Sequence, residues 1–196
     1  MYGSEKRSWL RRLSDPLIGP DATAAELALG WGAAVAASIA QLTWALAFGH
    51  WSALQTIMAV LFAFDIGGGV VVNATRSGGR WWHRDAVTRA RQFGFFAAHI
   101  HPFLIAWLWP ELSFAQALAL YGSMLVSALV VLWTPLYLQR PVALGLTAVG
   151  LVMGATVLRA PEGLGWFPLL YYVKLIAAHA VPDACARPTN TESRSP

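Results

Sequence analysis

Charge is scarce in this chain: acidic and basic side chains make up 12% of the 196 residues and hydrophobic ones 57%. A soluble domain usually carries about 25% charged residues, and its core has no room for so much apolar surface. The composition therefore excludes an ordinary soluble domain and points to lipid as the main solvent. Cysteine is nearly missing, and the single Cys185 excludes an intramolecular disulfide framework and a cysteine-based zinc site. Motifs of known chemistry are lacking too. There is no HExxH, paired HxxxH, GxSG-type or acidic phosphotransferase pattern, and the triple glycine at 67–69 lacks the rest of a Walker or Rossmann loop. No convincing repeat and no long low-complexity segment occurs.

What is present is a series of long apolar runs, with ten tryptophans and a mean hydropathy of +0.50. A bilayer core about 30 Å thick needs roughly 20 apolar residues in a helix. Six candidate helices follow, at about 23–48, 51–75, 92–109, 114–138, 142–159 and 165–182, the last two being short. The expected architecture is an all-α polytopic membrane protein, a compact bundle of about six transmembrane helices. A basic interfacial arm, 1–22, precedes the transmembrane domain, 23–182, and a disordered tail, 183–196, follows it. Thr23 with Glu26 and Ser113 with Gln116 fit capping boxes, and Pro110 and Pro141 punctuate turns. The first apolar run is too long for the core of a cleaved signal peptide and reads as an uncleaved span.

Six spans place all the basic residues except Arg159 and Lys174 on one side, together with both termini. That asymmetry makes this side cytoplasmic and the membrane the inner one. It also accounts for the pI near 9.6 without nucleic acid. Trp44, Trp51, Trp107, Trp109 and Trp166 are expected in an outer belt, and Trp9, Trp81, Trp82 and Trp133 in an inner one. The arm RSWLRRL, residues 7–13, is expected to lie in the inner interface with its arginines on anionic headgroups, which makes membrane lipids the first partners.

Ionisable residues inside spans are costly and by default mark function, pairing or a water cavity. There are five: Asp65, His99, His101, Lys174 and His179. Counted from the nearest cytoplasmic helix end, Asp65 lies roughly 15 Å deep and the two third-span histidines roughly 10–14 Å. All five thus occupy the central to cytoplasmic half. An Asp65–Lys174 ion pair is the structural reading, and a polar cavity open to the cytoplasm is the functional one. Asp65, Gly69, Asn73 and Arg76 share one helix face. Three successive glycines cost about 1 kcal/mol each in a helix, so they imply close helix approach, local unwinding or backbone contact with a ligand. His99 and His101 point about 200° apart on a regular helix. Pro102 kinks that helix and frees the Ala98 carbonyl, so one imidazole faces the interior while His101 reads as a hydrogen-bonded packing residue. His83 reads as a headgroup contact, or as part of a loop reaching the cluster. Asn73-Ala74-Thr75 is a sequon on the wrong side for glycosylation.

Gly150 and Gly154, with Thr147, and Ser123 with Ser127, are helix-packing devices, and a homodimer is one use of such faces. Two functional classes are therefore expected, and a third stands as the default. An embedded enzyme would use Asp65, His99, Lys174 and His179 in acid/base work on a lipid or other anionic amphiphile. Its metal-assisted form would bind a divalent ion such as zinc or iron at Asp65, His99, His179 and His101, with His83 in reserve. A small-solute or proton-coupled transporter would use the same charges as a relay. A non-catalytic assembly subunit would use them to fix helix register.

Overall fold

The computed structural model describes residues 9–158 and 160–182, all helices and connecting turns, with no strand among the described residues. Much of the interfacial arm, Arg159 and the tail with Cys185 lie outside the described residues. A short helix, α1 (Trp9–Ile18), leads into α2 (Ala24–Phe48), which runs antiparallel to α3 (Ala53–Ala74). α4 (Arg76–Trp82) and α5 (Arg89–Ala97) follow, then α6 (His101–Leu108), α7 (Phe114–Trp133) and α8 (Leu136–Thr156). The last helix is composite: an α-helical start, α9 (Phe167–Tyr172), continues directly into a π-helical segment, Val173–His179.

Four helices, α2, α3, α7 and α8, are long and apolar enough to cross a membrane. The bundle is thus a helical membrane protein, and the expectation of about six spans is corrected to four helices of membrane-crossing length. The third candidate is cut at 98–100 into α5 and α6, and the sixth holds only 13 residues, 167–179, in its two regular segments. Pro141 is also corrected. It lies inside α8, and the turn falls at Thr134-Pro135, where the Thr134 N–H still bonds to the Val130 carbonyl.

Local chemistry explains the helix starts. Thr23 with Glu26, Ser52 with Gln55 and Ser113 with Gln116 all close capping boxes, each satisfying two N–H groups that the first turn leaves without partners. Glu26 has a second role, accepting from both the backbone N–H and the hydroxyl of Ser77 and so pinning α4 to the start of α2.

The triple glycine sits in an unbroken helix, which removes unwinding as its explanation. A Cβ at Gly67 would overlap the Ala37 methyl, and one at Gly68 would overlap Ala34. The two glycines let α2 lie directly on α3. Gly150 and Gly154 work the same way inside the chain, receiving the Tyr172 ring and the Pro168–Leu169 edge of α9. Gly163, at φ +83°, carries the Trp44 ring where a side chain would stand.

The core gathers Ile66, Phe96, Ile105, Leu120, Met124 and Tyr171 from α3 and α5 to α9. Trp109 belongs here too. It is 1% exposed, so it is a core residue rather than a member of the outer belt. Leu46, Ile57, Leu118, Val126 and Val149 face outwards, an apolar exterior suited to lipid.

Candidate functional site

Asp65 and Lys174 meet at the middle of the bundle, with Lys174 Nζ 2.6 Å from Asp65 Oδ2. The lysine comes from the π segment of the last helix and must pass α3 to reach the carboxylate. Gly69 supplies the passage, since a Cβ there would overlap the lysine's Cε. Asn73, one turn further along α3, donates its amide to the Lys174 carbonyl at 3.4 Å. That face of α3 was legible from spacing alone; Arg76, its last expected member, begins a separate helix, α4.

The chain break at 98–100 reorients both histidines of HIHPF. Pro102 has no N–H for the Ala98 carbonyl, which instead accepts from Ile100 at 2.9 Å before the helix resumes at His101. The imidazoles of His99 and His101 consequently lie 5.5 Å apart, centroid to centroid, and not on opposite sides of a helix. His101 is the one that reaches Asp65, its Nε2 3.3 Å from the same Oδ2 that takes the lysine. It also packs edge-on against Phe62, 5.3 Å between centroids, so the hydrogen bond expected of it goes to Asp65. With Nε2–H directed at the carboxylate, Nδ1 keeps its lone pair and has no partner. His99 is buried, and its Nδ1 lies 2.6 Å from the Phe95 carbonyl. A carbonyl only accepts, so Nδ1 carries the proton and Nε2 is the basic nitrogen.

His179 lies one layer away. Positions five apart in a π-helix fall one above the other, which sets His179 a turn beyond Lys174. The Ala180 N–H bonded to the Leu175 carbonyl at 3.0 Å shows that register. The His179 ring stacks on Phe95 at 3.8 Å, and Phe95 in turn lies 4.5 Å from His99. A file of rings, His179, Phe95, His99 and His101, thus ends at Asp65. His83 ties the far end: its Nε2 donates to the His179 carbonyl at 2.9 Å, and its Nδ1 accepts from Gln92 at 3.3 Å. It pins the last helix with a fixed tautomer and brings the 83–92 stretch to the end of the histidine file. Burial pushes its pKa below the ordinary histidine value.

A groove of about 210 Å³ opens beside the cluster. Asp65, Gly69, Asn73, His99 and Lys174 supply its polar part, and Trp31, Phe64, Val72 and Phe95 most of the rest. Ser14, Leu17 and Ile18 of α1, with Trp82, line the end nearest the start of α2. Three indoles latch this roof: Trp31 to the Ser14 hydroxyl, Trp81 to the Pro16 carbonyl and Trp82 to the Leu17 carbonyl, at 3.0–3.1 Å. The groove is therefore apolar-walled, and α1 covers the end nearest the start of α2. Nothing in the sequence singled out Phe95, Trp31 or the α1 latches, because their roles depend on which helices become neighbours.

The expected metal ligands do not assemble. Among the described residues no three His, Cys, Asp or Glu side chains are grouped to hold an ion. Asp65 and His101 touch, His99 turns its Nδ1 to the backbone, and His179 lies behind Phe95. What the arrangement offers is a carboxylate and an ammonium that cancel in charge, a histidine hydrogen-bonded to the carboxylate, and a second histidine with a basic nitrogen. Comparison with known proteins finds no matching family, no similar curated protein and no similar solved structure.

Proposed function

We propose that the chain is a membrane-embedded enzyme that carries out acid/base chemistry on the polar group of a lipid or other anionic amphiphile. The observation behind this reading is the placement of Asp65, Lys174, His101 and His99, from three separate stretches of sequence, around one point beside an apolar groove. Ionisable groups are expensive inside a membrane and accumulate where a polar task requires them. In this reading Lys174, held by Asp65, donates to the oxygen on which negative charge develops, and His99 Nε2 takes up the proton released. His101 positions the carboxylate. The apolar walls hold the tail of the amphiphile and keep water out.

The same reading counts the α5–α6 pair and the composite last helix as two further traverses, giving six passes. Both termini and the arginine-rich 76–91 stretch then lie on the cytoplasmic face of an inner membrane, as the charge asymmetry favours. Segments interrupted at membrane depth are tolerated where neighbouring helices cover them, which fits both traverses.

Lipid mass spectrometry of membranes expressing the wild type, Asp65→Asn and His99→Gln tests the proposal. A lipid species converted by the wild type and left unconverted by both variants is the expected result. Identical profiles in all three would sink it. A proton-coupled carrier is the second reading, favoured by the helix broken next to the cluster. Proton flux in proteoliposomes that disappears in Lys174→Met, with no lipid converted, would replace the enzyme by the carrier.

A further inference from the structure

A second cavity lies apart from the groove, where the 83–92 stretch meets the junction of α7 and α8 and residues 180–182. It measures about 600 Å³ and is lined by His83, Asp85, Arg89, Gln92, Trp133 and Gln139, among others. Its surroundings place it at headgroup level, because it opens where one membrane-length helix ends at Trp133 and the next begins at Leu136. Trp133 is 61% exposed, as an interfacial indole is.

The polar groups of this cavity are of both signs and are not consumed by one another. The Arg89 guanidinium rests over the Trp133 ring, 5.9 Å from its centroid, and makes no ion pair among the described residues. Asp85 has no ion-pair partner there either. Arg89 is also the first residue of α5, whose first turn carries the positive end of the helix dipole, with the Arg91 N–H already donated to the Thr88 hydroxyl. Gln139, 7% exposed, donates Nε2 to the Thr134 carbonyl at 3.2 Å, which fixes the orientation of its amide and leaves Oε1 without a donor. His83 has both ring nitrogens engaged and adds no charge.

We propose that this cavity binds the headgroup of a zwitterionic phospholipid, a phosphoethanolamine. Its phosphate lies on Arg89 and the start of α5, and its ammonium lies towards Asp85 with a hydrogen available to Gln139 Oε1. The glycerol and tails continue along Leu132 and Leu136 into the bilayer. Phosphate alone would meet the Asp85 carboxylate unfavourably. An ammonium on the same headgroup converts that residue from a repulsive neighbour into a contact, and a choline headgroup has no N–H to give.

Native mass spectrometry of delipidated protein, reloaded with phosphatidylethanolamine, phosphatidylglycerol or phosphatidylcholine of identical tails, tests this. At least tenfold preferential retention of phosphatidylethanolamine is expected, reduced to the phosphatidylglycerol level in Asp85→Asn, with both lipids lost in Arg89→Gln. Soluble phosphoethanolamine is added as competitor. Displacement by it at millimolar concentration would assign the site to the free phosphoester and overturn the lipid assignment. Equal retention of the three lipids, or unchanged retention in either variant, would overturn the proposal. Both substituted side chains are exposed, and an unchanged melting temperature separates loss of binding from loss of fold. The outcome is independent of the groove, since neither residue lines it.

Discussion

Lys174 reaches Asp65 only because Gly69 has no side chain: the lysine stem occupies the volume a Cβ would take, and its Nζ ends 2.6 Å from the carboxylate. The two partners sit in unequal surroundings. The lysine side chain is 4% exposed and the aspartate 47%, opening on the groove. Removing the carboxylate strands a buried ammonium, while removing the amine leaves a half-exposed carboxylate that keeps His101.

Asp65→Asn is therefore expected to destabilise the protein more than Lys174→Met. An unpartnered buried charge costs about 3–5 kcal/mol, whereas the carboxylate left by Lys174→Met keeps the His101 contact at 3.3 Å. Thermal unfolding in detergent checks the order, and the double variant should recover most of the Asp65→Asn loss. Equal destabilisation by the two single changes would contradict the asymmetry.

Gly69→Ala tests the route by which the lysine reaches its partner. Helix propensity favours alanine by about 1 kcal/mol, and the displaced lysine stem offsets that gain. Loss of the ion pair should therefore lower stability by an amount approaching that of Asp65→Asn, about 3–5 kcal/mol, and any activity that depends on the pair should go with it. Gly68→Ala differs because the obstacle is Ala34 of α2. Forcing the two helices apart should cost about 1–3 kcal/mol, read as a lower melting temperature.

Pro102→Ala tests the break. An N–H at position 102 would let the helix run through 98–100, turning the two imidazoles about 200° apart. Activity should fall as in a His101 variant with stability unchanged or higher. Full activity would show that the break is dispensable.

His83 contributes to the pH dependence of folding. Its folded-state pKa lies below the ordinary 6.5, so between the two values the unfolded chain binds a proton that the folded chain refuses. Stability is then present above pH 6.5 and declines as pH falls below it, with a slope approaching about 1.4 kcal/mol per pH unit. The loss levels off once the folded state protonates as well. Melting curves from pH 8 to 5 should show this decline, and His83→Gln, which keeps a donor for the His179 carbonyl, should flatten it.

Much of this was legible in the sequence, and the parts that were share a physical character. Membrane character follows from composition, which sums over the chain without regard to contacts. The Thr23 and Ser113 caps, the polar face of α3 and the kink at Pro102 follow from interactions within a few residues. Each of these depends on one segment and its solvent.

Only the tertiary structure decided which histidine meets Asp65, because a broken helix has no fixed angular register between its halves. It likewise assigned Gly67 and Gly68 to the α2 seam and Gly69 to a lysine more than a hundred residues away. It moved Trp109 from a belt to the core, and it showed that α1 and three indoles cover one end of the groove. These outcomes depend on which surfaces pack together, and a glycine or an aromatic ring does not encode its neighbour.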